Sequence, residues 1–334
     1  MMGSQKSILW LLLLLLCGGC AGKTGLSSSG PDVPAREDRL PLIGVSFPTT
    51  SLDFRKAMYH LLEEYAVQED RKADLILLDG ENSQRKQNQD LISLVDQPVD
   101  GIILIPYTME GPIPAIQYAN DQGVPVLTLD NRIEVASSAF TVGYVGANHY
   151  LMGLQAGELL VASLEEYFPD AELWNVVYLT GIPNSSGEVD RNTGIQQAIS
   201  QNSRIQLLGE YNGAFTSIYA QSILDDCLNI EPNLHGVICQ NDLMAEGCYL
   251  ALEDHGLAGG VVVIGIDGQR SVVEKIAQGK IAGTVIQYPS MVLEAIDDMC
   301  AHLQGEKLSY YHYQPTDPIT RENAQEYLNQ ELPW

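Results

Sequence analysis

Four polar residues follow directly after apolar runs, where their side chains can hydrogen-bond a ligand. Asp130 ends the run VPVLTL, and Asp267 ends the run VVVIGI. Asn241 and Gln287 follow HGVICQ and AGTVI in the same way. A single residue of this kind is equally well explained as the cap of a turn. Four of them predict a ligand crevice, because an open parallel sheet binds ligands beyond the carboxyl ends of its strands.

Helical spacing directs two further polar residues, His149 and Arg191, to the same crevice. Each precedes a stripe of small and apolar residues at helical intervals, which places it on the buried side of its helix. The stripes are Gly153, Ala156, Gly157, Leu160 and Leu164 after His149, and Gly194, Ile195, Ala198 and Ile199 after Arg191. A lone histidine or arginine in such a place is more often structural. Beside the strand-end carboxylates, ligand contact is the better interpretation.

Alternating strands and helices must position these residues. In the first half, apolar runs at 42–47, 73–79, 101–106 and 124–130 are separated by helical patterns near 53–66, 82–96 and 112–122. The second half repeats the plan with LWNVVYLTG, IQLLGEY, HGVICQ, GGVVVIGID and AGTVIQ. Each half also contains a glycine-led strand, a helix and a strand that ends in aspartate. These patterns predict two similar α/β lobes, each a doubly wound parallel sheet.

The acidic composition argues against nucleic-acid binding. The 334 residues suffice for two domains, and their formal net charge of -25 gives a surface that repels phosphate backbones. A repressor built on the same lobes would need a helix-turn-helix and a basic face, and the sequence offers neither.

The sequence also lacks the motifs of the common enzyme and metal-binding classes. It contains no GxGxxG after a strand, no P-loop, no GxSxG and no HExxH. The adjacent pairs at 225–226 and 297–298 are aspartates on helices, which favours a solvated surface over acid–base catalysis. We therefore expect no cofactor and no metal. Four cysteines outside any CxxC pair are expected to be small buried residues, with a disulfide as the alternative: Cys227, Cys239, Cys248 and Cys300.

The N-terminus has the pattern of an export signal. Lys6 supplies positive charge, residues 8–16 are continuously apolar, and small residues follow in CGGCAG. Cys20 after two glycines resembles a bacterial lipobox, whose cysteine is lipidated and becomes the first mature residue; a plain cleaved signal is the alternative. Residues 21–40 are rich in Gly, Ser and Pro and predict a flexible tether. We therefore expect an extracytoplasmic lipoprotein, anchored through Cys20 to the outer face of the bacterial cell membrane.

A series of motifs in fixed order carries a family resemblance from about Leu42 to Leu328. The motifs are GVSFPTTS, DGIILIPY, GVPVLTLDN, YVGANHYLMGLQAG, RNTGI, QNDLMAEG, VIGIDG and GTVIQYP. With them the chain resembles the type I periplasmic sugar-binding proteins, which include the ribose-, galactose/glucose- and xylose-binding proteins of ABC importers. The resemblance implies two lobes joined by three crossovers and closing over a monosaccharide. After the signal at 1–20 and the tether, the expected lobes are 41–147 plus 288–313, and 148–287 plus 314–334.

The resemblance also implies which side chains contact the sugar. Carboxylates, amides and guanidinium groups bind vicinal hydroxyls in a bidentate way, and an aromatic face covers the C–H side of the ring. The positions carried over are Asp130, His149, Arg191, Asn241, Asp267 and Gln287, with Phe215 as the aromatic wall. Weaker correspondences add Ser46, Asp53, Phe54, Arg132 and Asn148.

Departures from the family pattern leave the sugar open. The family often has Asp-Arg after the fourth strand, whereas Asn131 follows Asp130 here and Arg132 comes one residue later. It often has Asp-Asn where this chain has Asn148 and His149. The aromatic pair common after the first strand is not clearly present, and EEYFPDAELWN replaces the calcium loop of the glucose/galactose binders.

The expected function is ligand capture without catalysis. We expect a monomer that takes up a monosaccharide or a similar polyol and delivers it to an ABC import permease, with no nucleic-acid partner. The alternative is a ligand-sensing protein that presents its closed form to a chemoreceptor or a sensor histidine kinase. Nothing in the sequence separates these two roles, since a docking surface is not a motif.

Overall fold

The computed structural model of the protein describes residues 39–330, which form two lobes, each built on a six-stranded sheet. The expected signal peptide, Cys20 and nearly all of the expected tether lie outside the described residues. Within the described part, none of the helices combines the length and the hydropathy needed to cross a bilayer.

The first lobe contains the described chain up to residue 147 and a later segment that carries one helix and one strand. Its strands β1 to β5 and β11 are Leu42–Phe47, Asp74–Asp79, Gly101–Leu104, Val126–Leu129, Gly143–Ala147 and Tyr311–Gln314. Its helices α1, α2, α3 and α9 are Asp53–Ala66, Gln84–Val95, Ile113–Asp121 and Met291–Leu303, and a 3-10 helix spans Val135–Phe140. The predicted strand at 42–47 and helix at 53–66 are confirmed with the same limits.

The second lobe repeats this plan. Its strands β6 to β10 and β12 are Trp174–Thr180, Ile205–Asn212, Gly236–Cys239, Val262–Ile264, Gly283–Val285 and Pro318–Thr320. Its helices α4 to α8 and α10 are His149–Tyr167, Ser186–Ile199, Ser217–Ile230, Asp242–Asp254, Arg270–Ala277 and Ala324–Leu328.

The two sheets have the same strand order, which confirms the predicted pair of doubly wound lobes. The first sheet runs β2-β1-β3-β4-β5-β11 and the second runs β7-β6-β8-β9-β10-β12. All pairs are parallel except the last, in which β12 runs antiparallel to β10. β1, β3 and β4 are buried nearly throughout, as expected for strands covered by helices on both faces. The short edge strands β11 and β12 were not predicted.

Three short connections join the lobes. The chain passes from β5 to α4 near residue 148, from β10 to α9 between residues 285 and 291, and from β11 to β12 between residues 314 and 318. The first and third connections leave from the neighbouring strands β5 and β11. The residue limits expected for the lobes stay a prediction.

Close packing of α4 against α5 fixes where His149 and Arg191 stand relative to each other. A Cβ atom on Gly153 would lie 2.1 Å from the Arg191 carbonyl oxygen, and one on Gly194 would lie 2.2 Å from the Tyr150 carbonyl oxygen. Real Cβ atoms do not approach so closely, so only glycine allows the helices this separation. The glycines of the small-residue stripes seen in the sequence therefore lie in the contact between these two helices.

The cysteines of the described residues are free thiols. Cys239, Cys248 and Cys300 are buried, as expected, whereas Cys227 is half-buried. The Cys239 and Cys248 sulfurs lie 3.7 Å apart without a bond between them.

Candidate ligand-binding site

A cleft of about 690 Å³ lies between the two lobes, at the carboxyl ends of their strands. Its lining contains all seven residues that the sequence favours most strongly as ligand contacts: Asp130, His149, Arg191, Phe215, Asn241, Asp267 and Gln287. These residues come from five strand ends or loops and two helices, and they are separated by up to 157 positions in the chain. The fold therefore brings them together as the strand-end reasoning requires.

Asp130 forms the polar centre of the first-lobe side. It follows β4 with a φ of 59°, and its carboxylate is buried in an ion pair with Arg55 of α1. The Nε2 of His149 lies 2.8 Å from the Asp130 carbonyl oxygen and 3.6 Å from its Oδ1. Burial alone would raise the pKa of Asp130, but Arg55 and His149 outweigh it and hold the pKa well below its usual range. Asp130 is therefore an ionised acceptor at neutral pH.

Arg191, Asp267 and Gln287 form the polar centre of the second-lobe side. Arg191 donates to the Gln240 carbonyl oxygen at 2.6 Å and to Asp267 Oδ1 at 3.3 Å. Gln287 donates from Nε2 to the same Asp267 oxygen at 2.7 Å. Burial raises the pKa of Asp267 to about 6, against the opposing effect of the Arg191 guanidinium. The second carboxylate of the cleft is thus held in place by two donors and titrates near neutrality.

A third buried carboxyl, that of Asp242, supports the loop that carries Asp267. Asp242 Oδ2 accepts a hydrogen bond from the Gln269 backbone N–H at 2.7 Å, and Oδ1 accepts one from the Thr284 hydroxyl at 2.6 Å. Burial, together with the neighbouring Asp267 carboxyl, raises the pKa of Asp242 to about 8. Asp242 therefore ties the β9–α8 loop to β10 beneath the cleft.

Asn241 and Phe215 face the cleft but are held by contacts within the protein. Asn241 caps α7, because its Oδ1 accepts the Met244 backbone N–H at 3.0 Å, and its Nδ2 donates to the Phe215 carbonyl oxygen at 3.3 Å. Phe215 is half-buried in a turn with a φ of 59°, and its ring lies directly on Gly181. The Asn241 side chain thus also holds the backbone of the turn that carries the aromatic ring.

Four side chains of the cleft lining contain buried polar atoms without a hydrogen-bond partner. Across residues 39–330 there are nine such atoms, and those in the cleft are Asp130 Oδ1, His149 Nδ1, Arg191 Nε and Gln287 Oε1. Buried polar groups are ordinarily paired, because an unmade hydrogen bond costs about 1–3 kcal/mol. Two acceptor oxygens, a ring nitrogen and a guanidinium N–H suit a ligand rich in groups that both donate and accept hydrogen bonds. No cluster of His, Cys, Asp or Glu suited to a metal occurs in the described chain.

The weaker sequence candidates are mostly placed elsewhere. Phe54 lines the cleft, with the Arg55 guanidinium 5.6 Å from its ring centre. Ser46 is buried inside β1, because the strand continues past it, and Asp53 lies exposed, within 3.3 Å of Gln269 Nε2.

Asn148 and Arg132 also lie outside the cleft lining. Asn148 accepts the Leu151 backbone N–H at 3.1 Å and caps α4. Arg132 turns away from the cleft and pairs with Asp190 on the second lobe. Asn148, Arg132, Ser46 and Asp53 therefore lie outside the cleft lining, and their contact with a ligand stays a prediction.

Several lining residues were missed, of which Arg55 is the most consequential. It precedes Met58 and Leu62 at helical intervals, and all three are buried. This is the spacing that pointed to His149 and Arg191, so the signal was present within DFRKAMYHLL. The other polar residues missed are Thr49, Asn82, Tyr107, Asn131 and Ser185.

A family comparison decides what kind of protein this is. Residues 43–307 match the model of the periplasmic binding protein domain. The chain belongs to this family. The suspected family and its fold class are thereby confirmed, and the protein is a substrate-binding protein rather than an enzyme.

Individual relatives of this periplasmic binding protein match most of the chain. The ribose import binding protein RbsB of Bacillus subtilis is 27% identical over 270 residues, which cover 80% of this chain and 83% of that protein. The galactofuranose-binding protein YtfQ of Escherichia coli is 26% identical over 294 residues, which cover 86% and 87%. A solute-binding protein structure from Actinobacillus succinogenes with bound D-allose has a TM-score of 0.78 and 27% identity, covering 86% of this chain and all of that one.

Proposed function

We propose that this protein captures a monosaccharide or a similar polyol between its lobes and delivers it to an ABC import permease. The observation that carries the proposal is the set of buried, unpartnered polar atoms on both sides of one cleft. Sugar hydroxyls donate and accept, so one ligand can satisfy Asp130 Oδ1, Arg191 Nε and Gln287 Oε1 together.

The charges of the cleft favour a ligand without net charge. Asp130 is paired with Arg55, and Asp267 is paired with Arg191, so each carboxylate already faces a guanidinium. A charged ligand would leave one buried charge uncompensated, which is costly in a closed site. Phe215 and Phe54 add aromatic surface for the C–H face of a sugar ring. The names of the relatives, which bind ribose, galactofuranose and allose, support the same ligand class.

Binding is tested by thermal shift and calorimetry against D-ribose, D-galactose, D-allose and xylitol. D-glucuronate and D-glucosamine serve as charged controls of similar size. We expect at least one neutral compound to raise the melting temperature by mass action and to be recovered intact by mass spectrometry. Binding of the charged controls alone, or of none of the six compounds, would contradict the proposal.

Delivery to a permease is tested in cells that lack the gene. We expect uptake of the bound sugar, measured with radiolabel, to fall and to recover when the gene is restored. Unchanged uptake together with a lost transcriptional response to the sugar would favour the sensory alternative.

A further inference from the structure

The two lobes touch through an ion pair that the sugar site does not use. Arg132 of the first lobe donates from Nη2 to Asp190 Oδ1 at 2.6 Å and from Nε to Asp190 Oδ2 at 3.0 Å. Both side chains are about a quarter exposed, with 23% and 24% of their surface accessible. The pair is bidentate and partly shielded, which is the geometry in which an ion pair contributes most reliably.

Further hydrogen bonds between the lobes surround this pair. The Arg132 backbone N–H donates to the Ser186 hydroxyl at 2.8 Å, and the Gly187 backbone N–H donates to Asn131 Oδ1 at 3.2 Å. The first-lobe loop thus docks on the N-terminus of α5, where free backbone N–H groups point outward. We call these five residues the latch: Asn131, Arg132, Ser186, Gly187 and Asp190.

The latch and the candidate site share the same two segments of chain. Asp130 faces the cleft, whereas Arg132, two residues later, faces Asp190. On α5, Arg191 faces the cleft and its neighbour Asp190 faces the latch. A movement that brings Asp130 and Arg191 to opposite sides of one ligand therefore brings Arg132 and Asp190 together as well.

We infer that Arg132 and Asp190 are positioning residues that hold the lobes closed and slow the escape of bound sugar without touching it. The latch gives Arg132 a partner at the position where it stands, one residue beyond the Asp-Arg pattern that the family often has. Since the latch joins one lobe to the other, its contacts stabilise the arrangement in which the lobes meet and shift the population toward it. The role in retaining sugar rests on the proposed function, whereas the contact between Arg132 and Asp190 does not.

Dissociation kinetics of the compounds that bind, among D-ribose, D-galactose, D-allose and xylitol, test the latch. We expect Arg132→Gln and Asp190→Asn each to raise the dissociation rate about three- to tenfold. Every bound compound should be affected by the same factor, because a residue that touches sugar would change the ratios between compounds. The reversed pair Arg132→Asp with Asp190→Arg should return the rate to within about twofold of the parent.

Lys275→Gln is the matched control, because Lys275 and Glu246 form an ion pair of similar exposure, 26% and 21%, within the second lobe. It should leave the dissociation rate unchanged. Parent-like rates in both single variants, a different factor for each compound, or no recovery in the reversed pair would overturn the latch.

Small-angle scattering keeps the two proposals separable. If none of the four compounds binds, the proposed function fails, and the same variants are compared without ligand. The latch then predicts a larger radius of gyration for Arg132→Gln and Asp190→Asn, but not for Lys275→Gln. Equal radii would overturn it.

Discussion

The position of Phe215 can be tested by adding a single methyl group opposite its ring. Gly181 follows β6, and a Cβ atom built on it would lie 1.9, 2.2 and 2.4 Å from three atoms of the Phe215 ring. Ordinary contacts of a Cβ atom begin near 3.4 Å, so the ring must withdraw by roughly 1.5 Å. Gly181 has no positive φ, so alanine fits its backbone without strain.

The turn that carries Phe215 should yield rather than the strand. Ala214 and Phe215 both have positive φ angles, 51° and 59°, which non-glycine residues adopt at a cost. β6, in contrast, is paired on both sides, with β7 and β8. We therefore expect Gly181→Ala to move the ring away from its place at the cleft while the sheet stays intact.

Gly181→Ala should remove the contact between the sugar and the face of the Phe215 ring. Contacts of this kind contribute about 1 kcal/mol beyond the area they bury, so the affinity for sugar should fall about fivefold to tenfold. Calorimetry with the compound that binds best measures the affinity, and thermal melting without sugar measures the fold. Gly143→Ala in β5 is the control, because its Cβ atom would meet nothing closer than 3.4 Å.

A double-mutant cycle refutes or supports the reasoning. If Gly181→Ala acts through the ring, it should have no further effect on affinity in a Phe215→Ala background. Parent-like affinity in Gly181→Ala, with a normal melting temperature, would mean that Phe215 is not the wall of the site.

Three further predictions concern the buried charges and the N-terminus. Asp267→Asn and Arg191→Met should weaken sugar binding about 10- to 100-fold by calorimetry, because each removes a charge-assisted partner; lower melting temperatures with unchanged affinity would show that the pair only stabilises the fold. The pKa of Asp267, raised from 3.8 to about 6, means that the folded state binds the proton more tightly than the unfolded state. The free energy of unfolding without sugar should therefore fall by about 3 kcal/mol as the pH rises from about 4 to about 6. Melting curves of Asp267→Asn should lack this part of the fall. Cys20→Ser should release the protein from the membrane fraction on cell fractionation, and membrane association that persists in the variant would exclude the anchor.

The strands and the main site residues could be predicted because local sequence determines them. A parallel strand covered on both faces must be apolar until it ends, so the residue after the run is placed at the carboxyl edge of the sheet. Asp130, Asn241, Asp267 and Gln287 were found by this rule, and all four line the cleft.

The candidates that lie outside the cleft lining, and the lining residues that were missed, depend on side-chain direction and on distant partners. Arg132 lies two residues after Asp130, but the φ of 59° at Asp130 turns the chain, and Asp190 is the partner that then holds the guanidinium. Arg55 sits among charged residues that resemble a solvated helix, and its partner Asp130 is 75 positions away. β11 was missed because its YHYQ sequence is mostly exposed and joins the sheet only through β5.

The three connections between the lobes limit which conformational change a docking partner can recognise. Two of the three short links leave from the neighbouring strands β5 and β11, so we expect the lobes to move relative to each other mainly by rotation about these links. Binding of any ligand in the cleft then changes one quantity, the angle between the outer surfaces of the two lobes. A partner that recognises this angle needs no contact with the sugar. Substitutions in the cleft can therefore change the ligand specificity while the docking surface stays the same. The same mechanical readout serves an importer or a sensor equally well.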